Sequence, residues 1–230
     1  MNYIVFKDVC SKHIDGLLIC ELPPITKPKM RTSITKIDGK DGDIIDKLGY
    51  ESYTKTVSIG LTRNFDINEI MDYFNGSGNL ILSNEDDKYY KAEILEQVDY
   101  ERLIRFRKAK VKFHIQPYKY KVDEPPFVYE TSELEEIKVS NQGLAPSKPV
   151  ITLYGSGIVS ITINGNYVFQ INIDDDYVVI DSIEEEAYKN GTLKNRFMSG
   201  DFPILKSGIN TIEWTGNLTK IIVNPKSRWL

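Results

Sequence analysis

The sequence predicts a mainly β protein, and two observations favour that class. Lys108–Ile115 alternates apolar and polar residues along its whole length, and Thr56–Leu61 repeats the pattern over a shorter run. The second half of the chain has short apolar runs separated by turn residues, a spacing typical of a β-sandwich. Because only Asp66–Asn75 has the apolar repeat of an amphipathic helix, we expect one short α-helix in the N-terminal half.

The composition is that of a globular protein. The chain has 230 residues, of which 41% are hydrophobic and 27% are charged, enough for two ordinary domains. Its net charge of −4 argues against a nucleic-acid partner. No apolar run approaches the ~20 residues that span a bilayer, and the N-terminus lacks the basic region of a signal peptide. We therefore expect a protein that folds in a cytoplasm and has no membrane partner.

The N-terminal half begins with predicted strands at Tyr3–Phe6 and Leu17–Glu21, with a tight turn at Asp15–Gly16 between them. Leu22–Pro28 is stiffened by prolines and cannot lie in a central strand. Asp38–Asp43 is rich in glycine and aspartate, and its spacing does not match an EF-hand, so we expect a solvated loop.

The predicted helix has clear end signals. Asp66 can cap the first turn, Glu69 can complete a capping box, and Gly76 follows as the stop. One face of this helix is predicted to pack on a core, through Ile67, Ile70, Met71 and Phe74.

A hairpin is predicted after the helix, with an acidic tip at Asn84–Lys88. Consecutive carboxylates at a loop tip are usually solvated, so no metal site is expected there. The strand Lys108–Ile115 presents its lysines outward. They either protect an exposed face from aggregation or pair with an acidic neighbour, such as the acidic tip of another copy.

No catalytic set is apparent. The chain has two histidines, His13 and His114, and it contains neither a P-loop nor a Gly-x-Ser-x-Gly elbow. Cys10 and Cys20 do not match the spacing of a zinc or redox motif, so reduced thiols are expected. The carboxylates between residues 174 and 186 occur in runs that favour exposed turns over a buried glycosidase acid. We predict no enzyme activity, no cofactor and no metal.

Asp123–Pro126 is typical of a linker, which divides the chain into domains 1–122 and 127–230. Asn164–Gly165 is the strongest hairpin signal in the second domain. Exposed aromatic residues there favour one of two functions considered for the chain, that of a carbohydrate-binding adhesion module that recognises host cell-wall glycans. The candidates for stacking on sugar rings are Tyr154, Tyr167, Tyr177 and Trp214, of which Trp214 alternates in phase with Ile212 and is expected in the core.

The order of motifs along nearly the whole chain resembles that of the distal tail proteins of phages with long, non-contractile tails. The motifs that support the resemblance are Phe74–Gly78, Leu80–Ala92, Gln116–Tyr120, Asn141–Gly143, Ile161–Gly165, Val179–Asp181, Gly200–Leu205 and Gly208–Ile212. The resemblance implies a β-sandwich or barrel-like N-terminal domain that forms a ring, usually a hexamer, and a C-terminal galectin-like β-sandwich.

The function that the resemblance implies is structural. Such a protein is a baseplate hub component at the tip of the virion tail, of phage or prophage origin, assembled in the cytoplasm of the bacterial host. Its implied partners are other copies of itself, the major tail tube protein, a tail-associated lysin or tail fibre protein, and a receptor-binding protein or host glycan. Ring closure needs complementary surfaces on opposite flanks of a subunit. The candidate ring contacts are Glu85, Asp86 and Asp87 on one flank and Lys108, Lys110 and Lys112 on the other.

Overall fold

The computed structural model describes residues 1–39, 41–132, 134–174 and 176–230. These residues form two compact units, one comprising Met1–Val122 with Leu230 and the other Asp123–Trp229. Both units consist mainly of β-strands, so the predicted fold class is confirmed. Among the described residues, no helix combines the length and apolar character needed to cross a bilayer.

The N-terminal unit is built on an antiparallel sheet curled as a half-barrel. Its strands and helices are β1 (Ile4–Phe6), β2 (Val9–Cys10), β3 (Leu17–Glu21), β4 (Met30–Lys36), β5 (Asp43–Tyr50), β6 (Tyr53–Leu61), α1 (Ile67–Tyr73), β7 (Ser77–Leu82), β8 (Glu85–Glu93), α2 (Tyr100–Phe106) and β9 (Lys108–Lys121). Neighbouring strands lie in the order β2-β1-β7-β8-β9-β6-β3. Strands β4 and β5 form a separate two-stranded sheet.

The buried face of this sheet follows the predicted alternation. Ala109, Val111, Phe113 and Ile115 of β9 are buried, as are Val57, Ile59 and Leu61 of the neighbouring β6. Side chains that point to the same face of adjacent strands pack together, so one apolar core forms between the sheet and the helices.

Helix α1 begins as predicted. Asp66 caps it by accepting hydrogen bonds from the backbone N–H groups of Asn68 and Glu69, at 2.8 and 3.4 Å. The predicted capping box is wrong, because the Glu69 carboxylate instead accepts from the Asp15 N–H at 3.4 Å. Met71 does not join the core and is 44% exposed.

The expectation of a single helix is also wrong, since α2 covers part of the core through the buried Leu103. Asp99 caps it by accepting from the Arg102 N–H at 2.8 Å. The turn at Asp15–Gly16 is present, but β1 and β3 do not pair, because β1 pairs with β7 and β3 with β6.

The predicted loop at Asp38–Asp43 joins β4 to β5, although Asp43 already belongs to the strand and Lys40 lies outside the described residues.

The second unit contains β10 (Phe127–Glu130), β11 (Glu136–Asn141), β12 (Val150–Ile163), β13 (Asn166–Ile173), β14 (Tyr177–Asp181), β15 (Glu186–Lys189), β16 (Thr192–Leu193), β17 (Met198–Gly200), β18 (Gly208–Asn224) and β19 (Arg228–Trp229). The long strands β12 and β18 pair along most of their lengths. Their register shifts near Gly155 and again between Ser156 and Ser160. The sequence predicts separate strands at 149–154 and 159–163 and at 209–214 and 218–223. In the structure the first two are parts of the continuous strand β12, and the last two are parts of the continuous strand β18.

The two ends of β12 pair with different neighbours, which produces two connected half-sheets. The first end pairs with β14 and the second with β13, while the ends of β18 pair with β11 and β10. Apolar side chains from both half-sheets form a single core. The predicted turn at Asn164–Gly165 joins β12 to β13, and both residues have the positive φ of a type I′ turn, 53° and 76°.

Candidate functional site

The hairpin β4–β5, here called the arm, lies outside the apolar core of the N-terminal unit. Its strands pair only with each other in the described chain. Ile34 and Ile45 are directly opposite in the register, and each is 56% exposed. Ile44 and Leu48, which point to the other face, are also exposed. An isolated hairpin is marginally stable in water, and apolar side chains exposed on both faces are typical of an interaction surface.

A cluster of buried charges lies under the connection to the arm. Lys119 of β9 donates to Glu85 Oε1 at 2.8 Å, and Tyr90 donates its hydroxyl to Glu85 Oε2, also at 2.8 Å. The Lys119 and Glu85 side chains are only 5% and 10% exposed. A second cation, Lys88, lies 3.7 Å from Glu85 Oε1. The Glu85 carboxylate therefore neutralises positive charge of Lys119 and Lys88 inside the N-terminal unit.

Lys55 is the other buried cation of this cluster, and its residue is 2% exposed. Its ammonium donates to the Pro24 carbonyl at 2.7 Å and lies 5.2 Å from the ring centroid of Tyr90. Burial lowers the pKa of Lys55 to about 8, against the opposing attraction of Glu85 and with a further lowering by Lys119. The charged form of Lys55 is thus disfavoured in the folded protein.

The lowered pKa predicts a pH dependence of stability. Between about pH 8 and the ordinary lysine pKa of 10.5, the unfolded chain holds a proton that native Lys55 has lost. The free energy of unfolding should therefore rise by up to about 1.4 kcal/mol per pH unit in this window. Urea unfolding of the wild type and Lys55→Met at pH 7, 8, 9 and 10 isolates this effect. The wild type should gain stability relative to the variant above pH 8, and a relative loss would contradict the assignment.

The structure places the predicted acidic tip on a strand. The turn occupies Ser83–Asn84, so Glu85, Asp86 and Asp87 begin β8. Glu85 is turned into the buried cluster. Asp86 is exposed and accepts from the Tyr3 hydroxyl at 3.2 Å. Asp87 is exposed and accepts from Lys88 at 2.7 Å, a hydrogen bond that lowers the pKa of its carboxyl.

The predicted lysine row is exposed along the outer side of β9. Lys112 forms an ion pair with Glu96 at 2.6 Å. Lys108 and Lys110 line a groove of about 580 Å³ together with Arg102, Glu21 and Asp99. This groove has more cations than acids.

The lysine row lies near the N-terminal end of β9, whereas the acidic segment of β8 lies beside the C-terminal end of β9. The Val122 N–H donates to the Asp87 carbonyl at 3.0 Å, and Lys88 is opposite Lys121. Lys110 and Lys121 are about 36 Å apart along β9 at the ~3.3 Å rise per residue of a strand. The two groups therefore cannot contact each other within one copy.

In the second unit, Tyr167 is the most exposed of the aromatic residues considered for sugar stacking. It is 58% exposed and lines a cavity of about 240 Å³ with Asn164, Asn166, Asp201 and Lys206. Trp214 packs against the apolar core. Tyr154 and Tyr177 contact each other with ring centroids 5.3 Å apart.

The residues considered for metal or redox chemistry are not brought together. In the described part of the chain, no group of His, Cys, Asp and Glu side chains has an arrangement that could hold a metal ion. Cys10 and Cys20 are free thiols. Asp174 forms an ion pair with Lys194 at 2.9 Å, and Asp175 lies outside the described residues.

Comparisons with solved structures identify proteins of similar fold. No protein-family model and no curated protein sequence matches the chain. The crystal structure of SPP1 Dit (gp 19.1), described as a paradigm of the hub adsorption apparatus in phages that infect Gram-positive bacteria, matches with a TM-score of 0.73 at 14% identity, over 100% of both chains. A chain of the phage P2 baseplate in its activated conformation with Ca matches with a TM-score of 0.50 at 10% identity, over 97% of both chains. The chain therefore has the fold of a phage hub protein along its whole length, which confirms the predicted resemblance at the level of the fold.

Proposed function

We propose that this protein is a structural component of a phage tail, a distal tail or baseplate hub protein that assembles with copies of itself. The single observation that carries the proposal is the full-length likeness to SPP1 Dit, which includes both units in one chain. A match that covers both units of the chain is more specific than a match to a single β-sandwich, which is a common fold. A fold alone does not determine a function.

In the finer form of the proposal, residues 1–122 form a ring, most simply a hexamer, residues 123–126 are a linker, and residues 127–230 are a galectin-like β-sandwich. The ring lies at the tip of the virion tail after assembly in the host cytoplasm. It joins the major tail tube protein to a tail-associated lysin or fibre and to the receptor-binding apparatus. The proposed activity is mechanical connection, without catalysis or a cofactor.

Two features of the N-terminal unit support self-assembly. The first is the arm, whose apolar side chains are exposed on both faces. The second is that the exposed acids of β8 lie beside one end of β9 and the lysine row near the other end, because a head-to-tail ring needs different, complementary surfaces on its two flanks. Of the acidic residues, Asp86 and Asp87 are exposed on the surface, where each also accepts one hydrogen bond within the same copy. The Glu85 side chain is largely buried with Lys119 and does not face this contact.

The mass of the purified protein tests the proposal. Size-exclusion chromatography with light scattering should give a closed oligomer of about six copies, and negative-stain images should show rings. A protein that stays monomeric at high micromolar concentration would contradict the ring.

The charged contact can be tested in the same assay. Reversal of Lys108, Lys110 and Lys112 to glutamate should weaken assembly by about tenfold or more, because like charges would then face each other. A matched control reverses Lys138, Lys148 and Lys206 in the second unit, which gives the same net charge. If the β9 variant assembles as well as the control, the lysine row is only a solvated face.

A second candidate function is glycan binding by the C-terminal unit. Tyr167 and its neighbouring amide and carboxylate groups favour it, because an exposed ring with adjacent polar groups is a common sugar platform. Titration with host cell-wall glycans tests this function. Binding that is lost in Tyr167→Ala would support it, and an absence of binding at millimolar glycan would exclude it.

A further inference from the structure

The root of the arm, residues 22–29, cannot be held by strand pairing in the usual way. Pro23, Pro24 and Pro28 have no N–H to donate, so this segment offers mainly carbonyl oxygens. Another source of hydrogen bonds is therefore needed to fix the direction in which the arm leaves the sheet.

Side chains of the N-terminal sheet supply these bonds at closely spaced carbonyls. Asn84 Nδ2 donates to Pro23 O at 3.0 Å, and Lys55 Nζ donates to Pro24 O at 2.7 Å. The Tyr53 hydroxyl donates to Thr26 O at 3.3 Å. The three donors come from β6 and from the turn before β8, so they hold the root from two different elements.

The chain that leaves the arm after β5 is bonded to the root. The Glu51 N–H donates to Lys29 O at 2.9 Å, and Lys29 is 3.8 Å from the Glu51 carboxylate. The ring of Tyr50 contacts that of Tyr118 in β9, with centroids 6.0 Å apart. Both connections of the arm therefore have side-chain contacts or hydrogen bonds near the sheet.

Lys55 has the chemistry best suited to this role. Its hydrogen bond is the shortest of the three and is charge-assisted, which makes it stronger than a neutral one. The same position points inward with Val57 and Ile59, where an apolar residue would avoid the cost of burying an ammonium. A lysine there is therefore better explained by the carbonyl that it binds than by core packing.

We propose that Lys55 is a positioning residue that fixes the direction of the arm, so that the arm meets a neighbouring copy as a rigid extension of the sheet. The role in assembly rests on the proposed function, whereas the fixing of the root concerns one copy alone. The arm is about 25 Å long at the ~3.3 Å rise of a strand, so a swing of about 20° at the root would move its tip by about 9 Å. Such a displacement would separate a side chain from the pocket that receives it.

Hydrogen exchange followed by mass spectrometry tests the fixing of the root. It is measured on protein diluted to the monomer, so that protection in an intersubunit contact does not contribute. In Lys55→Met, the amide of Glu51, which donates to Lys29 O, and the amides of Met30 to Thr32, where β4 begins to pair with β5, should exchange about tenfold faster or more than in the wild type. Lys55→Arg, which keeps a charged donor, should restore most of the protection. The control Lys91→Met, at an exposed position of β8 outside the proposed ring contact, should exchange like the wild type.

The effect must be local. Amides of β9 should keep their wild-type exchange in Lys55→Met, which distinguishes a freed root from an unfolded sheet. If the root of Lys55→Met exchanges at the wild-type rate, the proposal is overturned. If the root is freed but Lys55→Met assembles with wild-type affinity, the role in assembly is overturned. A wild type that never assembles would refute the proposed ring, while the exchange comparison would still decide the role of Lys55.

Discussion

Replacement of Ile34 by lysine and Ile45 by glutamate should convert the assembled protein into a monomer. These side chains are directly opposite on one face of the arm and are each 56% exposed. Loss of their burial in a contact should raise the dissociation constant by at least about a hundredfold, from about 1.5–3 kcal/mol for each buried isoleucine. The opposite charges can pair across the strands, so the arm itself should keep its hairpin structure.

Light scattering across a concentration series measures this effect, and urea unfolding checks the fold. The free energy of unfolding of the monomer should change by no more than about 0.5 kcal/mol, because neither side chain lies in the core. A matched control carries Ile158→Lys and Ile209→Glu in the second unit, where both residues are also exposed. If the arm variant forms the same oligomer as this control, the arm is not a subunit contact.

The arm was not apparent in the sequence for a physical reason. Ile44 and Ile45 are adjacent and point to opposite faces, so β5 lacks the apolar alternation that a half-buried strand has. Alternation arises from a core on one side, and the arm has none. By contrast, β9 lies against the core and was predicted with the correct inward face.

The second helix had weaker signals than the first. In α2 only Leu103 is buried, so no apolar stripe marks it. Two local signals could have identified it: Asp99 as an N-cap, and the pair Glu101 and Arg105, four residues apart and 3.3 Å from each other. The turn residues Asn164–Gly165 were reliable, because their positive φ values are a local property of the backbone.

The buried cluster of Lys55, Glu85 and Lys119 could have been predicted in part from the alternation of inward and outward residues along the strands. Lys119 falls on the inward side of β9 with Phe113 and Ile115, and Lys55 falls on the inward side of β6 with Val57. Two lysines in phase with core residues require a buried carboxylate. Which carboxylate it is could not be predicted, because Glu85 joins them only through the pairing of β8 with β9 and the shortened turn before β8.

Replacement of Glu85 by glutamine should give the largest loss of stability among these variants. The carboxylate accepts from Lys119 and Tyr90 and is the counter-charge for the buried Lys55. Removal of one partner of a buried ion pair typically costs about 3–5 kcal/mol, because the remaining charge is left without compensation. Urea unfolding at pH 7 measures the loss. The control Asp87→Asn, in an exposed pair, should lose at most about 1 kcal/mol.

Two further measurements identify uncompensated charge as the cause. Adding Lys119→Met to Glu85→Gln should recover part of the loss, since replacement of both partners is far less costly than replacement of one. Raising the pH from 7 to 10 should also reduce the deficit, because Lys55 has a pKa of about 8 in the folded protein and becomes neutral. A deficit unchanged by either treatment would instead indicate lost packing around Tyr90. Lys55 also donates to the Pro24 carbonyl at the root of the arm. Loss of its charge between pH 7 and pH 10 therefore changes both the stability of the buried cluster and the strength of the hydrogen bond that holds the root.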